Sequence, residues 1–466
     1  MRSILVVLTC LCIGHAEALT YQVGPTRTHT TLSALFTAID LGPGDLVEVD
    51  GGVTYDVGSP GIVMGSGDAG APGNPVVLRG IAVAGARPIL RGGTNTIEFR
   101  SSNHVVFENF EVTGTGNTST GTFRCIYHHA HDITIRNVLV RDCPRHGILG
   151  ADTDSGSLTI EYSEIRNSGS NQGNHAVYMA TDEVAYPGAV FRLQYSYLHD
   201  SQFDDAVPGG NLVKSRAERN EIYYNWLEGA YFHELELIGP DPNGAQPGFT
   251  ETLKREDSDV VGNVILHTAS FGAVVRFGGD ATGQSNGRYR VVNNTIVRSQ
   301  ATADTPTVFR LFDGIESLEF HNNVIWRDGA SNVTLVRAVE AVWASGTARV
   351  TGSNNWVKSG FVFNPTNLSH TIVGTITGTI PGFVDAAGAN FVPALGSSLL
   401  DAGNANTVTT PDFDLSNPLF PPVVHPPLRA PLAPGGTVAR PVSLPIDIGA
   451  FEVDLVARIF SNGFED

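Results

Sequence analysis

Charge is scarce in this chain of 466 residues: Asp, Glu, Lys and Arg together make up 16%, and 29 basic residues face 47 acidic ones. The net charge of −18 argues against the broad positive potential that general nucleic-acid binding needs. It leaves room for a local basic cleft that takes an acidic ligand. No stretch beyond residue 18 holds about 18 consecutive apolar residues, so no transmembrane helix is expected. Methionine (3) and tryptophan (4) are rare, and helix formers do not dominate. Val, Ile, Thr, Asn and 52 Gly do, which is the composition of a turn-rich β-protein. Of only four cysteines, Cys10 and Cys12 fall in the first 18 residues. Cys125 and Cys143 remain, without metal-type spacing. Less than one repeat apart, they are candidates for a disulfide in an oxidising compartment.

Residues 1–18 have the layout of a secretory signal peptide: Arg2 at the start, an apolar stretch from Ile4 to Ile13, and Ala16-Glu17-Ala18 as a small-x-small cleavage site. The expected protein is therefore exported (secreted, extracellular or periplasmic, with cell-surface association open) and monomeric. After the leader, Leu32, Leu35, Phe36 and Ile39 recur at helical spacing behind a Thr30 or Thr31 N-cap. Gly42-Pro43-Gly44-Asp45 closes this short helix, and Leu46-Val47-Glu48-Val49 alternates like a strand. Such a helix would cover the open end of a stack of strands.

What dominates the chain is a repeat. An apolar phrase around one polar residue occurs nine times, centred on Asn109, Asn137, Ser163, Ser196, Asn225, Asn263, Asn294, Asn323 and Asn354, at spacings of 26 to 38 residues. A period in this range marks a solenoid rather than a globule with one central core. Further short apolar strings lie between the phrases, so each repeat holds two or three strands. That suits one coil of a parallel β-helix. Four-stranded propeller blades need longer repeats, and hairpins need tight turns inside each unit. The recurrent Asn reads as structural, since Asn tolerates left-handed backbone angles at bends and can stack into hydrogen-bonded ladders. The chain thus divides into the leader (1–18), a cap and β-helix (19–355), looser C-terminal coils with a Pro-rich closing stretch (356–455), and a tail (456–466).

Several stretches carry a resemblance. The coil phrases, the "GPGDLVEV" edge and "APGNPVVLRG" at 71–80 resemble the secreted right-handed parallel β-helix proteins of the pectate-lyase-like superfamily, over roughly residues 20–455. His175-Ala176-Val177-Tyr178, Ser196-Tyr197-Leu198-His199-Asp200 and Asn211-Leu212-Val213-Lys214-Ser215-Arg216-Ala217 are similar to a pattern in bacterial β-helix proteins of polysaccharide-lyase type. The end, from Pro381 to Glu452, resembles the closing segment of such proteins. The final "IFSNGFED" is similar to a tail on some exported bacterial proteins, read as a sorting signal. The resemblance implies an all-β, right-handed parallel β-helix that cleaves acidic glycans, with Lys214 and Arg216 at the site. The chain departs from the family in three places. It lacks the Asp-Pro-His-Asp of alginate epimerases. It has only Asp204-Asp205 of the polygalacturonase set. Where family 6 lyases carry Arg before His-Gly-Asn, it has Glu234-Leu235-Glu236-Leu237.

The strings between the phrases align by their apolar partners. Val177-Tyr178-Met179, Val213-Lys214-Ser215, Leu235-Glu236-Leu237, Val275-Arg276-Phe277 and Phe309-Arg310-Leu311 fall into one column. Side chains alternate faces on a strand, so Tyr178, Lys214, Glu236, Arg276 and Arg310 are expected to point outward from one sheet, in a line about 20 Å long. Elimination from a uronate needs its carboxylate neutralised, a base for the adjacent proton and an acid for the leaving oxygen. Lys214 is the candidate base, with Arg276 or Arg216 to favour its neutral form. Tyr178 or His199 is the candidate acid. Arg216, Arg276 and Arg310 can hold carboxylates, and His175 and Asn211 are candidate sugar contacts. Glu236 with Asp204 or Asp205 is a candidate Ca²⁺ site, or Glu236 pairs with Lys214. His128, His129, His131 and His146 would extend the cleft or bind a metal. An acidic polysaccharide lyase is the first reading. A glycoside hydrolase using two of Asp204, Asp205, Glu234 and Glu236, or a non-catalytic surface protein, is the alternative.

Overall fold

Each repeat forms three short strands, and the strands of successive repeats stack in register. The structure, a computed structural model, describes residues 17–454 except 115–121, 240–254, 280–285, 300–306 and shorter stretches at 313, 339, 341–342, 344–348, 408–409, 411, 414, 416–420 and 442–444. Most of the expected leader and all of the expected tail lie outside the described residues. Three sheets of thirteen, eleven and twelve strands run the length of the molecule, with every neighbouring pair in them parallel. The fold is a parallel β-helix. Coils continue past residue 355 through Ile376–Gly378, and among the described strands the hairpin Phe383–Asp385 with Asn390–Pro393 is the antiparallel pair. Among the described residues no helix is long and apolar enough to cross a membrane.

Alternation makes the strands. Ile133–Arg136 buries every second residue, and so does Val190–Gln194. The inward residues form one continuous core in which Phe107 stacks on Phe110 and Phe309 packs against Phe277 and Phe320. The helix Leu32–Ala38 caps the first coils as expected, with the Thr31 hydroxyl accepting the Ala34 N–H.

The nine-fold phrase resolves into two adjacent columns. One residue per coil sits in the left-handed region and turns the first sheet into the next: Asn109, Asn137, Tyr162, Tyr195, Tyr224, Gly262, Asn293, Asn322 and Asn354. The residue after each bend points inward. There Ser163, Ser196, Asn225, Asn263, Asn294, Asn323 and Asn355 form a buried ladder, each accepting the backbone N–H of the coil before it at 2.9–3.1 Å. The sequence reading merged the two columns. Asn109, Asn137 and Asn354 are bend residues, and the ladder ends on Asn355.

The outer column has its own use. Tyr162, Tyr195 and Tyr224 stack on one another. The Pro-rich segment crosses them, with the Val423 N–H donating to the Tyr224 hydroxyl and the Leu432 N–H to the Tyr195 carbonyl. Asn293 and Asn322 hold the closing segment through Asp447, Gly449 and Asn404. Cys125 and Cys143 form the expected disulfide, with Cα atoms 6.0 Å apart.

Candidate functional site

The eleven-stranded sheet carries the predicted column. Tyr178 pairs with Lys214, Lys214 with Glu236, Glu236 with Arg276, and Arg276 with Arg310. Their neighbours Val177, Met179, Val213, Leu235, Leu237, Val275, Phe277, Phe309 and Leu311 are fully buried, which turns the column outward. The column extends one coil further, because Arg310 pairs with Arg337. Thr334-Leu335-Val336-Arg337 repeats the pattern of Val308-Phe309-Arg310 and was the sequence signal for it. Lys214, Glu236, Arg276, Arg310 and Arg337 line a cleft of about 500 Å³.

Glu236 ties this floor together. Its carboxylate meets the Arg276 guanidinium at 2.6 Å and the Lys214 ammonium at 3.7 Å, and it accepts a hydrogen bond from the Asn211 amide. Attraction falls with distance, so Arg276 takes the larger share of its charge and Lys214 is held more loosely. Arg216 is buried and donates from Nε to the Tyr178 hydroxyl at 3.1 Å. The Lys214 nitrogen lies 5.3 Å from the centre of the Tyr178 ring. Arg310 donates twice to Glu340, at 2.7 and 3.1 Å, and lies against Phe312, whose ring also packs under Arg276.

A second column borders the first. The His175 N–H donates to His146 Nδ1 at 3.3 Å, and the Asn211 N–H donates to His175 Nδ1 at 3.0 Å. A ring nitrogen that accepts a backbone N–H carries no proton, so His146 and His175 are neutral with the proton on Nε2. Burial, reinforced by Arg124, Arg145 and Lys214, pushes His146 down to about 3. Burial likewise pushes His233, which lines the cleft and bonds the Ala273 carbonyl at 2.7 Å, down to about 4. The column therefore offers polarity without charge.

Other expected residues lie elsewhere. His199 is on a strand of the twelve-stranded sheet, Tyr197–His199, with its ring between Asp200 (2.7 Å) and Glu164 (3.4 Å). It is removed from the candidate acids, because the repeat places its strand on another side of the coil. Asp204 and Asp205 are exposed in a turn, where the Asp204 carboxylate accepts the Ala206 N–H. Neither lines the cleft. Glu234 is fully buried against His267 at 2.6 Å. Of the expected Ca²⁺ set only Glu236 lines the cleft, where it pairs with Arg276 and Lys214. Among the described residues no three His, Cys, Asp or Glu side chains gather as metal ligands, His128, His129, His131 and His146 included. The aromatic cleft residues Phe232, Phe271 and Phe312 come from loops, where no periodicity marks them.

No protein-family model matches the chain, and no curated protein does. Among solved structures, the pectate lyase Pel9A superposes over 95% of this chain and 98% of its own, with TM-score 0.52 and 15% identity. An alginate lyase from Paenibacillus sp. str. FPU-7 covers 78% of this chain and 98% of its own (TM-score 0.39, 14% identity). A mannuronic acid specific polysaccharide family 6 lyase from human gut microbiota covers 76% of this chain and 83% of its own (TM-score 0.38, 11% identity). At such identities the likeness concerns architecture: this chain shares the parallel β-helix fold of Pel9A.

Proposed function

We propose that the protein is an exported polysaccharide lyase that cleaves an acidic, uronate-containing glycan by β-elimination in the cleft around Lys214. One observation carries the reading. Among the described residues the cleft is lined by Lys214, Arg276, Arg310 and Arg337 and by one carboxylate, Glu236, with Glu340 paired to Arg310 beside it, in a protein whose net charge is −18. A cationic groove on an acidic protein selects an anionic ligand. Export is read from the leader-like residues 1–18 and agrees with the disulfide.

In this scheme Arg276, with Arg310 beside it, neutralises the uronate carboxylate, which acidifies the proton on C5. Lys214, having first given up its own proton to solvent, takes that proton. The electrons form the C4–C5 double bond and the C4–O bond breaks. Tyr178 protonates the departing oxygen, and Arg216 stabilises the tyrosinate that results. His175 and Asn211 contact sugar hydroxyls. Hydrolysis is disfavoured, because it needs two carboxyl groups about 5–9.5 Å apart across the bond. Glu234 is buried against His267, and Asp204 and Asp205 are outside the cleft.

The test is Lys214→Ala. The variant should fold normally and still bind the glycan, while unsaturated product forms at least about a hundredfold more slowly. Undiminished product formation would remove Lys214 from the mechanism.

A further inference from the structure

Phe271 is the oddity of the cleft: it is 59% exposed, while the other described phenylalanines are buried or half-buried. A ring left in water forgoes the transfer free energy that burial supplies, so its surroundings matter. Phe271 meets Phe232 edge to face at 5.7 Å, and Phe232 meets Tyr231 edge to face at 4.8 Å. The loop beneath is pinned from several sides. Gly272 has φ +98, and a Cβ there would lie 2.1 Å from the Phe232 carbonyl oxygen, so glycine alone lets the two loops close. Buried Arg298 donates to the Gly272 carbonyl, and His233 bonds the Ala273 carbonyl. Phe271 is therefore an apolar face held in place at the rim, not a side chain loose in solvent.

Arg276, on the strand Val275–Phe277 that follows this loop, lines the same cleft. We propose that Phe271, backed by Phe232 and Tyr231, is a sugar-stacking wall: it takes the C–H face of a uronate pyranose whose carboxylate edge lies on Arg276. The proposal rests on the cleft being the glycan site. Arg276 and Lys214 lie two coils apart, yet both reach the Glu236 carboxylate, at 2.6 and 3.7 Å. The ring on Phe271 is then the one whose carboxylate Arg276 neutralises in the proposed reaction. The wall and the arginine together select a polymer of pyranoses that are apolar on one face and anionic on one edge. A neutral glycan satisfies only the wall, and a flexible polyanion only the arginine.

Binding is measured by retardation in gels containing polygalacturonate, alginate or hyaluronan, with dextran as the neutral control. The full chain is used in the Lys214→Ala background, so that polymer is not consumed. Phe271→Ala should weaken retention by the preferred acidic polymer about tenfold, and Phe271→Trp should restore it. The exposed position should leave the melting temperature unchanged. Equal retention of Phe271→Ala and its parent would overturn the wall. If the parent is retained and Phe271→Ala is not, while the Lys214 protein yields no unsaturated product, the wall stands and the elimination reading falls. Retention by none of the acidic polymers, or by dextran equally, would overturn the wall as a uronate subsite.

Discussion

Glu256 is a buried carboxyl group with no cation of the described residues paired to it. It accepts hydrogen bonds from Asn220 (2.8 Å), Ser258 (2.5 Å) and Tyr289 (3.3 Å), inside a core that is otherwise mostly apolar. The network reaches Ser215, between Lys214 and Arg216, through a 2.5 Å bond to Asn220. Burial pushes Glu256 up to about 8, against the lowering effect of its hydrogen bonds. The folded state therefore keeps a proton that the unfolded chain releases near 4.5. The stabilisation from this group is complete below that value and disappears as pH rises towards 8. Glu256→Gln, which keeps the shape without the titration, should flatten the loss of stability across this window. Urea midpoints of both proteins, taken at intervals from about pH 5 to pH 8, check it, and parallel curves would contradict it. Glu183, also pushed up to about 8, is common to both proteins and cancels in the comparison.

At the scale of the element, the asparagine ladder sets coil against coil. Asn294 accepts the Asn263 N–H through Oδ1 and donates from Nδ2 to the Val260 and Val292 carbonyls. Asn294→Ala leaves these buried groups without partners, and a loss of roughly 3 kcal/mol or more is expected in chemical unfolding. Asn294→Ser should recover part of it, because Ser163 and Ser196 accept the same backbone N–H further up the ladder. An alanine variant as stable as wild type would show that the ladder follows the fold rather than holding it. The repeat that marks this ladder was also what could be read of the fold from sequence. Period-two alternation and one bend residue per coil announce the β-helix. They place Tyr178, Lys214, Glu236, Arg276 and Arg310 on one line, because a strand leaves its middle residue a single direction to point. The same logic could not say which sheet a given string joins, and His199 was misassigned for that reason. It could not separate Asn354 from Asn355, since both fit one polar centre. Nor could it find Phe271, which sits on a loop whose position depends on Gly272 packing against another coil.

At the scale of the molecule, charge is segregated. The cations of the cleft, Lys214, Arg276, Arg310 and Arg337, stand on successive coils of one sheet apart from the Glu236 step. Three of them share two carboxylates, Glu236 and Glu340, whereas on the thirteen-stranded sheet acids and bases pair more evenly, as in Arg79–Glu108 and Arg290–Asp259. Glycan binding should therefore weaken as salt is raised, since the attraction is between partly exposed charges. Retention measured at low salt and again near 0.5 M on the order of a threefold shorter screening length than at 0.05 M would show it, and salt-independent retention would argue for a neutral ligand.

The central claim is the reaction itself. The direct measurement is incubation of the wild-type protein with alginate, pectate, glycosaminoglycans and bacterial exopolysaccharide, following ultraviolet absorbance and reducing ends together. The cleft predicts that at least one acidic polymer yields new reducing ends in step with the absorbance of an unsaturated uronate. New reducing ends without that absorbance would make the protein a hydrolase and contradict the account.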